Sequence, residues 1–334
     1  MKNKSPIFAV LVIGGLAALA WRAVAAWLLL GVPEGVAEAQ ATARPGENIA
    51  PFAAAGDAKH PPADRLLRDA VRAIDSYQSV TARIRHKAEL FDSRLIGSGM
   101  YWQAGQGGDK RLRLELKIPV AGKVSTLQQV CNDDYLWIHE TFGEESQLTQ
   151  IDVRRVRRAI SQAPEALRGD SSLRWLALGG LPMLLASLQD SFQFSIVESA
   201  STAGDVSGDG RPTWTLLGQW KPEKLARLLG EENADTAQLD VNRLAAHVPD
   251  HVVLHLGKDD LFPYSVDFRK RDGKAADEAG ALAGARSLLI MEMFDVQLNE
   301  PIDPARFLYD PGNLKRTNGT DRFLKRLGLG GSQP

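Results

Sequence analysis

Three histidines, His247, His251 and His255, recur at every fourth position, a spacing that on a helix would set metal ligands on one face. Pro249 and the run Val252-Val253-Leu254 read as a strand instead. At strand rise His251 and His255 stand about 13 Å apart, too far to share one ion, so no metal site is expected. Ser98, flanked by Gly97 and Gly99, is the next candidate. It lacks the Gly-x-Ser-x-Gly spacing of a hydrolase elbow and sits within a strand pattern, not at a strand-to-helix turn. Gly105-Gln106-Gly107-Gly108 lies between two strands with no helix to hold a phosphate, and no P-loop or dinucleotide fingerprint occurs. Cys131 is the single cysteine, which excludes an internal disulfide and a zinc site. With no catalytic set, no cofactor and no metal expected, the chain reads as a binding protein and not an enzyme.

The elements around these residues explain the pattern. Lys110-Arg111-Leu112-Arg113-Leu114-Glu115-Leu116-Lys117-Ile118 places an apolar residue at every second position, the side-chain period of a strand with one greasy and one wet face. Leu95 to Trp102 precedes it across the glycine turn. Lys123 to Cys131 and Tyr135 to Glu140 come after it, separated by the turn formers Asn132-Asp133-Asp134. The block from Arg94 to Val153 is therefore an antiparallel meander, and its apolar face needs a partner. The 334 residues are 44% hydrophobic and 24% charged, enough for one large domain or two small ones. A formal net charge of -1 argues against a nucleic-acid backbone binder.

Lys2 and Lys4 precede an apolar run from Ile7 to Gly31. At about 1.5 Å per residue this run is long enough to cross a hydrocarbon layer of roughly 30 Å. Arg22 interrupts it at a cost of roughly 2.5 to 3.5 kcal/mol, which the surrounding Leu, Val, Ile and Trp residues can offset. Two readings share the segment: a retained anchor, which the second apolar half from Ala23 to Leu30 favours, and a cleaved signal peptide with Ala37-Glu38-Ala39 as its site. Both export the rest of the chain. Residues 32–63, rich in Ala, Gly and Pro, form a linker.

Folding restarts at Asp64, read as the N-cap of a helix carrying Leu66, Leu67, Ala70, Val71 and Ile74. Beyond the meander, Val153, Val156 and Ile160 mark a helix whose other side carries Arg154, Arg155, Arg157 and Arg158. This is a solvated face, or a contact to lipid headgroups or an acidic partner. A second helix comes after Gly179-Gly180, with Pro182 in its first turn and Met183, Leu184, Leu185 and Leu188 too apolar for a surface. Strands resume at Phe192 to Glu198 and Thr213 to Trp220. Residues 221–246 read as an inserted helical segment. A hairpin from His251 to Leu256 and Tyr264 to Arg271, a strand from Arg286 to Leu298 and a Pro-rich turn close the domain. Residues 313–334 form a basic tail, read as disordered or as docking on a membrane surface through Phe323, Leu324 and Leu327.

This order of parts resembles the LolA-like lipoprotein-carrier superfamily. The resemblance rests on Gly97-Ser98-Gly99-Met100-Tyr101-Trp102, Lys110-Arg111, Val130-Cys131-Asn132-Asp133-Asp134-Tyr135-Leu136-Trp137-Ile138, Leu181-Pro182-Met183-Leu184-Leu185 and the closing Asn299 to Pro311. It covers residues 64–312. It implies an α+β fold: a strongly curved antiparallel sheet, a half-open β-barrel, with helices covering its concave face, preceded here by an N-terminal transmembrane helix. It further implies a cavity for acyl chains lined by Trp102, Leu112, Leu114, Leu116 and Trp137 beneath a lid carrying Met183, Leu184 and Leu185. A basic residue of the Lys110-Arg111 pair would help hold the lid. Strand parity gives Lys110 the cavity face and turns Arg111 outward. The expected partners are a lipid or acylated lipoprotein, the membrane through the N-terminal helix, and an envelope protein, with no nucleic acid. The expected location is the inner membrane, single-pass, with the folded domain in the periplasm. The alternative function is a tethered envelope sensor that binds a partner protein through the same fold.

Overall fold

The structure, a computed structural model, describes residues 62–90, 93–106, 109–120, 122–162, 180–197, 210–231, 239–246, 248–271, 285–326 and 329. The run from Ile7 to Gly31 lies outside them, and no described helix is long and apolar enough to cross a membrane. Helix α1, Ala63–Ser76, buries Leu66, Leu67, Ala70, Val71 and Ile74, the stripe expected from their spacing. Its start differs from expectation by two residues. The Pro62 carbonyl accepts from the amides of Arg65 at 2.9 Å and Leu66 at 3.1 Å, while Asp64 sits in the first turn, where a carboxylate suits the positive end of the helix dipole.

The meander is present in full: β1 Ser79–Leu90, β2 Ser93–Ala104, β3 Arg111–Val120, β4 Lys123–Cys131, β5 Tyr135–Phe142 and β6 Glu145–Asp152, each antiparallel to the next. Helices α2, Val153–Gln162, and α3, Gly180–Ser191, come next. A second meander then runs through β7 Phe192–Ile196, β8 Thr213–Trp220, β9 His251–Gly257, β10 Pro263–Arg271 and β11 Ala285–Leu298. Helix α4, Pro222–Leu229, stands between β8 and β9 and ends on Gly230 at φ 71°, a left-handed stop that glycine tolerates. The two meanders join where β11 pairs with β1, with Ile84 opposite Met293 and His86 opposite Met291.

The result is a mixed α+β fold around one open sheet of 12 strands, with β6 and β7 at opposite ends of the two meanders. Its curvature follows from which elements touch. Helices α1 and α3 pack on each other, α1 reaches β7 and α3 reaches β3. Those strands are seven steps apart in the sheet. Laid flat, seven steps would span about 34 Å, several times the roughly 10 Å width of a helix. The sheet must therefore roll around the helix pair, and its inner face holds the main apolar cluster.

The basic tail is a correction. Residues Arg316–Asn318 form β12, which adds to β6 in parallel, and Thr320–Arg326 form helix α5. Phe323 and Leu324 of α5 are buried in a second cluster with Val153, Val156 and Ile160 of α2 and with Leu112, Cys131, Leu136 and Ile151 of the sheet. The folded unit thus extends past Gly312. Thr320 fixes the junction, its hydroxyl accepting from the Asp152 amide at 3.0 Å. The arginine face of α2 is partly committed as well: Arg154 pairs with Asp134, and Arg155 with Asp321 of α5 at 2.6 Å.

Candidate functional site

The inner face of the sheet is the floor of the candidate site. On β3, Leu112, Leu114, Leu116, Ile118 and Val120 are all buried, while Arg111, Arg113, Glu115 and Lys117 alternate with them on the other face. The ladder carries this parity across strands, aligning Ala82, Tyr101, Leu114, Gln129 and Ile138 in one inward row. The roof is α1 and α3. Leu181, Leu184, Leu185 and Leu188 of α3 are buried in the same cluster as Leu114, Leu116, Leu67 and Ile74. The side chain of Met183 lies outside the described residues.

Two buried polar side chains tie roof to floor, and neither stands out in the sequence. The Tyr101 hydroxyl donates to Gln103 Oε1 at 2.8 Å and accepts from the Leu181 amide in the first turn of α3 at 3.5 Å. Gln103 Nε2 in turn donates to the Ile74 carbonyl of α1 at 3.0 Å. Burial pushes the Tyr101 phenol well above its ordinary range, so it remains a neutral donor. Tyr101 and Gln103 share the face of Gly97 and Gly99, and it is the strand register that shows this face to be the inner one. Tyr101→Phe removes the hydroxyl and leaves Gln103 Oε1 and the Leu181 amide short of a partner, at an expected cost of about 1 kcal/mol. Hydrogen exchange should then quicken in the peptide covering 180–191; unchanged exchange there would remove Tyr101 from this role.

Lys110 takes the inward position that parity assigned, only 1% exposed. Its Nζ lies 2.7 Å from Asp75 Oδ1 and 3.5 Å from the Asp75 carbonyl, so it holds the C-terminal end of α1, where a cation suits the dipole. Burial lowers its pKa and Asp75 pulls it back up. Arg111 faces outward to Asp133 at 3.1 Å. The basic residue of the pair is therefore bonded to α1.

Three residues expected in the cavity lie elsewhere. Trp102 and Trp137 point to the outer face, in a row formed by Thr81, Trp102, Arg113, Val130, Trp137 and Gln150. They are buried because the segment after β11 crosses that face. Arg306 lies over the Trp102 ring at 5.2 Å, its carbonyl accepts from Arg113 Nη1 at 2.9 Å, and Tyr309 stacks on Trp137 at 5.4 Å. Leu112 does face inward but belongs to the second cluster beneath α2 and α5. Of the expected set, Leu114, Leu116, Leu184 and Leu185 are brought together.

Among the described residues no cluster of His, Cys, Asp or Glu is placed to hold a metal ion. His247 lies outside them, His251 bonds to Asp250 at 2.6 Å, and His255 meets the Thr215 hydroxyl at 3.2 Å. Burial pushes the Cys131 thiol up to about 12, which keeps it protonated. The chemistry this arrangement offers is burial of hydrocarbon, with polar groups tying the helices to the sheet.

No family model matches the chain, and no curated protein matches it. In fold it is similar to solved structures of the LolA-like, lipoprotein-sorting kind. A LolA superfamily protein from Nitrosomonas europaea aligns over 74% of this chain and 97% of its own at 11% identity, with a TM-score of 0.26. A putative outer membrane lipoprotein-sorting protein domain from Vibrio parahaemolyticus aligns over 73% and 95%, also at 11% identity, with a TM-score of 0.28. MucB, in the Pseudomonas aeruginosa MucA/MucB complex, aligns over 74% of this chain at 11% identity and a TM-score of 0.32. This chain spans 60% of that one. At these TM-scores none of the three bears on what this chain does.

Proposed function

We propose that this is a non-enzymatic, extracytoplasmic carrier that holds the acyl chains of a lipid or lipoprotein between the inner face of the sheet and α3. One observation carries the reading. The floor at Leu114 and Leu116 meets a roof of Leu181, Leu184, Leu185 and Leu188, four leucines on one short helix, with the long bond from the Leu181 amide to Tyr101 at its first turn. A roof held mainly by apolar contact can exchange those contacts for hydrocarbon at little cost, each buried methylene contributing roughly 0.8 kcal/mol. The sheet in this reading is a half-open barrel, and residues 1–31 tether it to the inner membrane from the periplasmic side.

The test is photocrosslinking of the full chain in membranes that contain a diazirine-bearing phospholipid. Label in peptides spanning 111–120 and 181–188 supports the carrier, and Leu114→Glu in a chain that keeps its circular dichroism should abolish that label. Label confined to residues 7–31 would leave only a tether. A second reading, a sensor that binds a partner protein, is favoured by the outer face, where Tyr135 and Tyr309 stand on either side of a covered Trp137 and remain partly accessible.

A further inference from the structure

Polar side chains on the inner face of the first meander are bonded to their surroundings. Tyr101 and Gln103 tie α3 and α1 to β2, Lys110 holds Asp75, and Ser125 Oγ donates to the Thr141 carbonyl at 2.9 Å. Gln129 of β4 differs. It is 2% exposed, and its Oε1 has no hydrogen-bond partner among the described residues. A carboxamide oxygen taken out of water without a donor is a cost that folding alone does not return.

Its position is a seam between the two apolar clusters. Leu127, two residues before it, belongs to the cluster under α1 and α3, and Cys131, two residues after it, to the cluster under α2 and α5. Across the ladder Gln129 faces Leu114 on β3 and Ile138 on β5. Leu114 is in the first cluster, and Ile138 packs against both. The helices divide at the same place, α3 reaching β3 and α2 reaching β5. An acceptor without a donor thus stands where the roof passes from one helix to the next, with apolar side chains before, after and on both sides of it. A residue there for packing alone gains nothing from an amide, since an apolar side chain of the same volume would fill the place with no oxygen left unpaired.

We propose that Gln129 recognises the linkage of the cargo: Oε1 accepts from the N–H of an amide-linked acyl chain, and the site selects such a chain over an ester, which has no N–H to give. This rests on the carrier reading and adds the linkage to it. With α3 displaced, the acyl chain lies along Leu116 and Leu114 and its amide reaches the seam. Because apolar clusters flank Gln129 on both sides, the donor it meets is internal to the ligand, with apolar matter before and after it, and not a terminal hydroxyl. The ester analogue would leave the oxygen buried and unpaired, which is how a site built for one donor rejects the molecule that lacks it.

The full chain in phosphatidylcholine membranes is photolysed with the N-butylamide or the butyl ester of one diazirine-bearing palmitic acid, and label is measured in peptides spanning 111–120 and 181–188. Gln129→Met, which keeps the volume and removes the acceptor, is treated in the same membranes and corrects for unequal partitioning of the two probes. The amide-to-ester ratio of label is expected to be about fivefold higher in the wild type than in Gln129→Met. The variant should also unfold in urea at the wild-type midpoint or above it, because no bond is lost and the unpaired oxygen is gone. Equal ratios in the two chains overturn the proposal and leave the carrier reading standing; a lowered midpoint alongside them would give Gln129 a structural role instead. No label from either probe in those peptides overturns the carrier reading and this proposal with it.

Discussion

Gly99→Val is expected to lower stability by about 3 kcal/mol, at the upper end of what overpacking a well-packed site costs. A Cβ built on Gly99 would lie 2.2 Å from the Glu115 carbonyl oxygen and 2.7 Å from Leu116 Cδ2; one on Gly97 would lie 2.4 Å from the Lys117 carbonyl. Those oxygens are the backbone of β3, the neighbouring strand, so no side-chain rotation relieves the clash. Either β3 moves away from β2 or β2 straightens. Both outcomes unroll the sheet at the point where it turns toward α3, the role that glycine kinks play in curved sheets. Ser98, between the two glycines, faces outward and is exposed, so Ser98→Ala should change stability by no more than about 0.5 kcal/mol. Urea unfolding of the pair checks this. A Gly99→Val protein as stable as the wild type would mean that the close approach of β2 to β3 contributes nothing to the curvature.

The strands themselves are legible in the sequence because burial on one face leaves a period of two, and β3 shows it without interruption from Leu112 to Ile118. The placement of Trp102 is not. In β2 the residues Leu95, Ile96, Met100, Tyr101 and Trp102 are apolar on both faces, so composition fixes no parity, and an error of one residue moves every side chain to the other face. Only the ladder, with Tyr101 opposite Leu114 and Trp102 opposite Arg113, resolves it. Trp102 and Trp137 look like core residues because they are covered, but their cover is the strap from Pro304 to Tyr309, which has no periodicity that a local reading could use. The ordered tail escapes a sequence reading for a related reason: β12 is three residues long, and α5 is amphipathic only relative to α2. Lys110 and Arg111 could be assigned to opposite faces because they belong to a strand whose alternation is clear. The ties through Tyr101 and Gln103 join α1, β2 and α3, and no window of sequence contains all three.

Acid is expected to destabilise the protein through His86. The imidazole is fully buried on the inner face, between Gly97 of β2 and Met291 of β11, on the strand where the two meanders meet. Gly97 makes room for it: a Cβ there would stand 2.2 Å from His86 Nε2. Burial disfavours the charged ring and lowers its pKa from 6.5 to about 4. The folded chain therefore keeps His86 neutral while the unfolded chain takes up a proton near its ordinary value. Above pH 6.5 neither state binds the proton and the full stability is present; as pH falls from 6.5 to about 4 the unfolded state gains relative to the folded one. At about 1.4 kcal/mol per pH unit, that interval amounts to about 3 kcal/mol. Carboxylates add their own acid dependence, so the informative quantity is a difference: urea unfolding of wild type and His86→Leu at pH values from about 7.5 down to about 4.5. The wild type should lose stability relative to the variant through that range, most steeply once the pH is below about 6. Parallel curves would mean that the unfolded and folded chains protonate His86 alike, and that the join between β1 and β11 does not exclude charge.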